Sequence, residues 1–190
     1  MGESPGMAVY QEKYRVESTR LRDWDYRSRG WYFVTLCAQN HACVFGEVVD
    51  GEVQLSRVGL IAESELRLLP THYDNVQVDA QVVMPNHVHT IVVIEGEHCF
   101  SPRARMMPDA NTASGFTSPK AGSLAAIIRS YKSGVTRRCQ ELGLNIAWQS
   151  RFHDHLLRGD KVIAAVREYI RNNPMNWGVD RENPFRPVHP

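Results

Sequence analysis

The chain has 190 residues, 43% of them hydrophobic, which suits a single domain with a substantial core. A formal net charge of +1 excludes a protein that coats nucleic acid by bulk charge, so any phosphate contact must rest on a local basic surface. No apolar run approaches the ~20 residues of a membrane span, no signal-peptide pattern opens the chain, and Cys37, Cys43, Cys99 and Cys139 lack CxxC spacing, so a cytoplasmic protein with reduced thiols and no membrane partner is expected.

Residues 1–30 are polar, with arginines at 15, 20, 22, 27 and 29 and tyrosines at 10, 14 and 26. They read either as a loosely ordered arm or as a basic, aromatic segment that touches phosphates and stacks on bases. Trp31-Tyr32-Phe33-Val34-Thr35-Leu36-Cys37 is aromatic and β-branched, the composition of a strand. Val44–Val49 and Val53–Leu55 flank Asp50-Gly51, a hairpin signal. Ser56 then predicts an N-cap for a helix that ends before Pro70, with Val58, Ile61, Leu66 and Leu69 among its apolar positions. A strand over about 76–84 follows and turns at Pro85-Asn86 into the run His87-Val88-His89-Thr90-Ile91-Val92-Val93-Ile94. That run is too short for a typical helix and reads as a buried strand. On a strand His87 and His89 share a face, roughly 6–7 Å apart at their Cα atoms. They read either as hydrogen-bonded structural residues or as two ligands of one divalent metal.

Residues 97–121 shift to Ser, Pro, Ala, Gly, Asn, Arg and Met, which predicts a flexible insertion. Ser123 opens the longest helix, running to about Leu142 and stopped by Gly143, with Leu124, Ile127, Ile128, Tyr131, Val135 and Leu142 as its buried stripe. Arg129, Lys132 and Arg137 lie mainly on another face, nearly one-signed, which favours a phosphate-facing role. An extended segment, 147–158, carries a second spaced pair, His153 and His155, between Arg151 and Arg158. Those arginines would repel a cation, so polar structural roles are expected for this pair. Gly159-Asp160 caps a helix to about Asn172 that Pro174 ends. Tyr169 and Asn173 are one turn apart on it, about 6 Å along the axis.

Three pieces now stand in order: Met84-Pro85-Asn86-His87-Val88-His89, then Trp148-Gln149-x-Arg151-Phe152-x-Asp154-His155, then Tyr169-Ile170-Arg171-Asn172-Asn173-Pro174. Together they resemble the single-tyrosine HUH transposases, and among them the REP-associated tyrosine transposases, which act at repetitive extragenic palindromes. The resemblance runs from about Trp31 to Trp177. It implies an α+β, ferredoxin-like antiparallel sheet with helices packed on one face, a catalytic domain over 31–177 and a C-terminal tail over 178–190. It also implies a divalent metal, Mg²⁺ or Mn²⁺, held by His87, His89 and Asn173, with Tyr169 as the nucleophile. Asn173 stands where related insertion-sequence enzymes use Gln. The implied activity is DNA transposition and recombination: nicking and rejoining of single-stranded hairpin DNA through a 5′-phosphotyrosine intermediate. Arg129, Lys132, Arg137, Arg151 and Arg158 are the candidates for holding the DNA backbone. A monomer is favoured over a homodimer. The alternatives are a domesticated, non-catalytic single-stranded nucleic-acid-binding protein, a hydrolase using His87, His89, His153 and His155, and an interaction module.

Overall fold

Aromatic and β-branched residues make Gly30–Cys37 a strand (β1), and it pairs antiparallel on both sides, with His87–Ile94 (β5) and with His153–Leu157 (β6). Val76–Val83 (β4) completes the sheet in the order β4-β5-β1-β6. The computed structural model describes residues 25–96 and 122–186, together with Pro119. The N-terminal arm as far as residue 24 and the insertion at 97–121, apart from Pro119 and Gly122 onward, lie outside the described residues, as do residues 187–190. Between the strands come a short hairpin, Gly46–Val49 (β2) and Glu52–Leu55 (β3), and the helices Arg57–His72 (α1), Leu124–Glu141 (α2) and Asp160–Asn172 (α3). The hairpin turns at Asp50 and Gly51, both at positive φ, as a two-residue turn of this hand requires. This is the ferredoxin-like α+β arrangement expected from the sequence.

The sheet is covered on both sides. Tyr32, Val34 and Leu36 of β1 and Val88, Val92 and Ile94 of β5 meet Leu66 and Leu69 of α1 and Ile127, Ile128, Tyr131 and Val135 of α2. The two long helices therefore share one face. The alternate residues, Ile91 and Val93 of β5 and Leu157 of β6, meet Ile163, Val166 and Ile170 of α3 on the other face, flanked by Trp31 and Phe33. All eight residues of β5 are buried as a result. Each large apolar side chain so buried contributes about 1.5–3 kcal/mol to holding this strand in place.

One irregularity decides where β4 points. Between Val78 and Ala80 the pairing with β5 slips by one residue, so Val76 and Val78 join the α1/α2 core while Ala80 and Val82 turn to the α3 face. The extra residue, Asp79, receives a two-pronged hydrogen bond from Arg167 of α3 at 2.7 and 2.8 Å, and that guanidinium also lies over Trp31. The bulge thus fastens the end of the sheet to α3.

Helix α1 is capped as expected, with Ser56 Oγ accepting from Gly59 N–H. Gly59 lies so close to the Phe45 carbonyl that a Cβ there would collide with it. The helix does not end before Pro70; it continues to His72. A proline this near the end forfeits one backbone hydrogen bond, and Tyr73 N–H still closes the last turn onto the Leu69 carbonyl. In α2 the stripe ends on buried Cys139 rather than Leu142, which is the C-cap and half exposed. Beyond that cap Gly143 takes the positive φ (68°) that turns the chain.

The phosphate-facing role expected of Lys132 needs correction. Its ammonium donates to the carbonyls of Gln149 (2.7 Å) and Arg151 (3.2 Å) and sits over the Trp148 ring. Desolvation pulls its pKa down to about 8. The lysine is a clamp that seats the 148–151 segment on α2. Lys132→Met should therefore cost about 1–3 kcal/mol in chemical denaturation, as two carbonyls lose a charged donor. An unchanged midpoint would show that the clamp carries no stability.

Candidate active site

His87 and His89 occupy the α3 face of β5, together with Ile91 and Val93. Both are buried, His87 completely, and their rings lie 4.4 Å apart at 64°. The Pro85-Asn86 corner that precedes them is tied into the fold by Ala38 N–H to the Asn86 carbonyl and Phe45 N–H to the Pro85 carbonyl.

The network around His87 fixes where its proton sits. Asn86 Nδ2 donates to the carbonyls of His41 and Glu182, so its Oδ1 must face His87 Nδ1, 2.8 Å away. His87 therefore carries its proton on Nδ1, and the Nε2 lone pair points into the pocket with no hydrogen-bond partner. Thr35 Oγ1 lies 2.9 Å from His89 Nδ1, and this contact turns His89 Nε2 toward the same pocket; with the hydroxyl accepting, Nε2 offers its lone pair there. Burial pushes both imidazoles below their ordinary pKa, His89 furthest, since repulsion from His87 adds to its burial while the Asp180 and Glu182 carboxylates partly offset the shift of His87. Both rings stay neutral, which is the ligating form.

Helix α3 brings Tyr169 and Asn173 to the same pocket. The Tyr169 hydroxyl is 3.4 Å from His89 Nε2, and its ring packs edge-on against Phe33. Desolvation raises the Tyr169 pKa, and the nearby Asp180 carboxylate raises it further. Asn173 is 1% exposed; its Nδ2 donates to Asp180 Oδ2 at 3.1 Å, which leaves Oδ1 facing inward without a donor.

Asp180 is the residue that the sequence did not reveal. It follows the 3₁₀ turn Pro174–Val179, is 6% exposed, and places its carboxylate within 4.8 Å of the ligating nitrogens of His87 and His89. Its other anchor is Glu182 N–H, which donates to Oδ1 at 2.7 Å. The segment expected to be a tail after residue 177 is thus packed into the domain as far as Asn183. Trp177, whose ring lies 6.1 Å from that of His87, closes this side of the pocket.

Two imidazole nitrogens, an amide oxygen and a carboxylate converge, and two of these acceptors are buried with no donor. A divalent cation would satisfy both at once, so the residues fit the metal that the sequence implied. Of the other candidates, His153 and His155 are exposed on the same sheet face, opposite Thr35 and Phe33 in register. They join no group of three metal-capable side chains among the described residues. Arg151 and Arg158 flank β6 on the exposed edge of the sheet. Arg129 and Arg137 are exposed on α2, across the sheet from the histidines.

No family model matches the chain. It is 32% identical over 171 residues to an uncharacterized protein of Haemophilus influenzae, spanning 86% of this chain and 91% of that one. The chain belongs to that protein's family. Among solved structures it is similar to a REP-associated tyrosine transposase bound to a REP hairpin, with a TM-score of 0.52 and 21% identity over 80% of this chain and 70% of that one. The fold of the REP-associated transposases is the fold of this chain.

Two expectations follow from the pocket. Asn86→Ala should weaken metal binding about 10- to 100-fold in a calorimetric titration, because the His87 ring loses its orienting acceptor; unchanged affinity would refute that role. A buried neutral imidazole binds its proton more weakly folded than unfolded. The metal-stripped protein should therefore keep full stability above the unfolded value of about 6.5 and lose it as the pH falls below. The slope of melting temperature against pH should flatten in a His87→Gln/His89→Gln variant; an identical slope would place the titration elsewhere.

Proposed function

We propose that the protein is a metal-dependent tyrosine transposase that nicks and rejoins single-stranded, hairpin-forming DNA of the REP type. The observation that carries the reading is the Tyr169 hydroxyl, 3.4 Å from His89 Nε2, at the mouth of a buried pocket with two unsatisfied acceptors. The fold supports it, since the neighbour with that fold is bound to a REP hairpin.

In this reading His87, His89, Asn173 and Asp180 hold Mg²⁺ or Mn²⁺. When bound, the cation supplies Lewis acidity toward the scissile phosphate. Oxygen donors with imidazole suit Mn²⁺ well and Mg²⁺ adequately. The protein's own part is positioning. Tyr169 is fixed by α3, by the T-shaped packing of its ring with Phe33 and by a tilted contact with the His89 ring, so its oxygen is presented rather than searched for. A phenol held above its ordinary pKa is a poor nucleophile, so Tyr169 rests protonated, and a bound cation would supply the positive charge that favours its ionised form. The phenol gives up its proton as its oxygen attacks phosphorus, the bond from phosphorus to the 3′-oxygen breaks, and that oxygen takes up a proton and leaves as a hydroxyl. The 5′-phosphotyrosine keeps the phosphodiester energy, so the reverse attack by a 3′-hydroxyl rejoins a strand without ATP.

The DNA path is assigned to the β6 edge. Arg151 and Arg158 lie at the two ends of the strand beside β1, and a backbone running along that edge can reach the Tyr169 face. Arg129 and Arg137 serve only DNA that wraps around the edge onto α2.

Tyr169→Phe removes one oxygen and leaves the ring packing intact. Cleavage of single-stranded palindromic oligonucleotides with Mn²⁺ should disappear, with binding unchanged within about threefold. Cleavage that survives the substitution would favour a hydrolase, and binding without cleavage by the wild type would favour the non-catalytic binder.

A further inference from the structure

A second group of metal-capable side chains lies next to the first. Cys37, His41 and Glu182 place one ligand atom each within 4.8 Å of the others. His41 Nδ1 is 3.1 Å and Cys37 Sγ 3.8 Å from the same carboxylate oxygen, Glu182 Oε2. Ligands around a tetrahedral Zn²⁺, at about 2.3 Å for sulfur and 2.0–2.2 Å for nitrogen and oxygen, stand some 3.3–3.8 Å from one another. The two spacings to the carboxylate are already near that range, and the third is within 4.8 Å.

The arrangement is held from three sides. Cys37 is 2% exposed and ends β1, where it pairs in register with His87. The single amide of Asn86 donates to the carbonyls of both His41 and Glu182, fixing two of the three ligands with one buried group. Asn40 and His41 both adopt left-handed backbone, φ 55° and 52°, which costs free energy in residues other than glycine and here aims the His41 ring at the carboxylate. The amide nitrogen of Gln149 is placed 3.1 Å from the outer nitrogen of His41, and the amide's oxygen and nitrogen can exchange places by a flip. With its amide turned so that the oxygen accepts from Nε2–H, the Nδ1 lone pair faces the group, the usual support of a ligating histidine.

Without a cation the grouping is awkward. A thiol stands against a carboxylate in a desolvated corner, and burial with the Glu182 charge pushes the thiol up to about 12. A thiolate, a carboxylate and a neutral imidazole around a divalent ion carry no net charge, which makes their burial favourable.

We infer that Cys37, His41 and Glu182 form a second cation site, selective for a thiolate-preferring ion such as Zn²⁺ and separate from the pocket of His87 and His89. Binding displaces the thiol proton to solvent and forms a sulfur–metal bond. Sulfur in the donor set turns this site away from Mg²⁺ and Mn²⁺, so the two sites sort different metals. Because Asp180 and Glu182 are two residues apart, zinc at this site pins the segment that presents Asp180 to the first pocket.

The test is a Co²⁺ titration of the full chain in a Cys43→Ser/Cys99→Ser background, read by absorption. A sulfur-to-cobalt charge-transfer band should saturate at one equivalent, vanish in Cys37→Ser, weaken about tenfold or more in Glu182→Gln and persist in His87→Gln/His89→Gln. Zn²⁺ should displace the cobalt and bleach the band. Circular dichroism on each variant establishes that it is folded, and Cys37→Ser, a one-atom change, is the least disruptive of them. No band at stoichiometric cobalt, a band that survives Cys37→Ser, or one that disappears with the His87 and His89 substitutions would each overturn the second site.

Discussion

The structure depends on a constraint imposed by two hydroxyl or amide oxygens. Asn86 Oδ1 and Thr35 Oγ1 engage the Nδ1 atoms of His87 and His89, and both Nε2 atoms are thereby aimed into one buried pocket. Asp180 does the same for Asn173, taking its NH₂ group and leaving its oxygen inward. Two of these acceptors, His87 Nε2 and Asn173 Oδ1, have no donor and oppose folding unless something positive sits among them, since each desolvated acceptor without a donor costs about 1–3 kcal/mol. The pocket gives up stability to keep these acceptors together, the arrangement that the proposed metal would need.

The two-sided sheet makes that cost bearable. On one face α1 and α2 form the larger core around Tyr32, Leu66 and Tyr131, and Tyr131 also ties the two helices through its hydrogen bond to the Ala62 carbonyl. The other face carries a smaller apolar cluster and, beside it, all the polar groups of the site. Helix α3 belongs to both jobs. Its Ile163, Val166 and Ile170 hold it to the sheet, and the Arg167–Asp79 pair at the β4 bulge sets its other edge, so Tyr169 and Asn173 arrive at a defined height over the histidines.

Most of this was legible in the sequence where a period or a short motif carries the information. Alternation placed His87 and His89 on one face, helical spacing put Tyr169 and Asn173 one turn apart, and Ser56 and Ser123 cap their helices as read. Asp180 was not legible, because it sits in irregular chain after a 3₁₀ turn, where no period says which side chains turn inward. The β4 bulge was hidden for a related reason: Val76, Val78, Ala80 and Val82 alternate as if on one face, and only the slip at Asp79 separates them. Lys132 read as part of a basic face because sequence shows its charge and not the two carbonyls beside it.

The central claim is that Tyr169 takes a DNA strand onto its own oxygen. The most direct measurement is to incubate the protein and Mn²⁺ with single-stranded palindromic oligonucleotide, digest with nuclease and trypsin, and locate the added mass. The account predicts a nucleotide phosphate on the peptide 168–171, the one that carries Tyr169. Cleaved DNA with the mass on another residue, or with no adduct on any peptide, would contradict it.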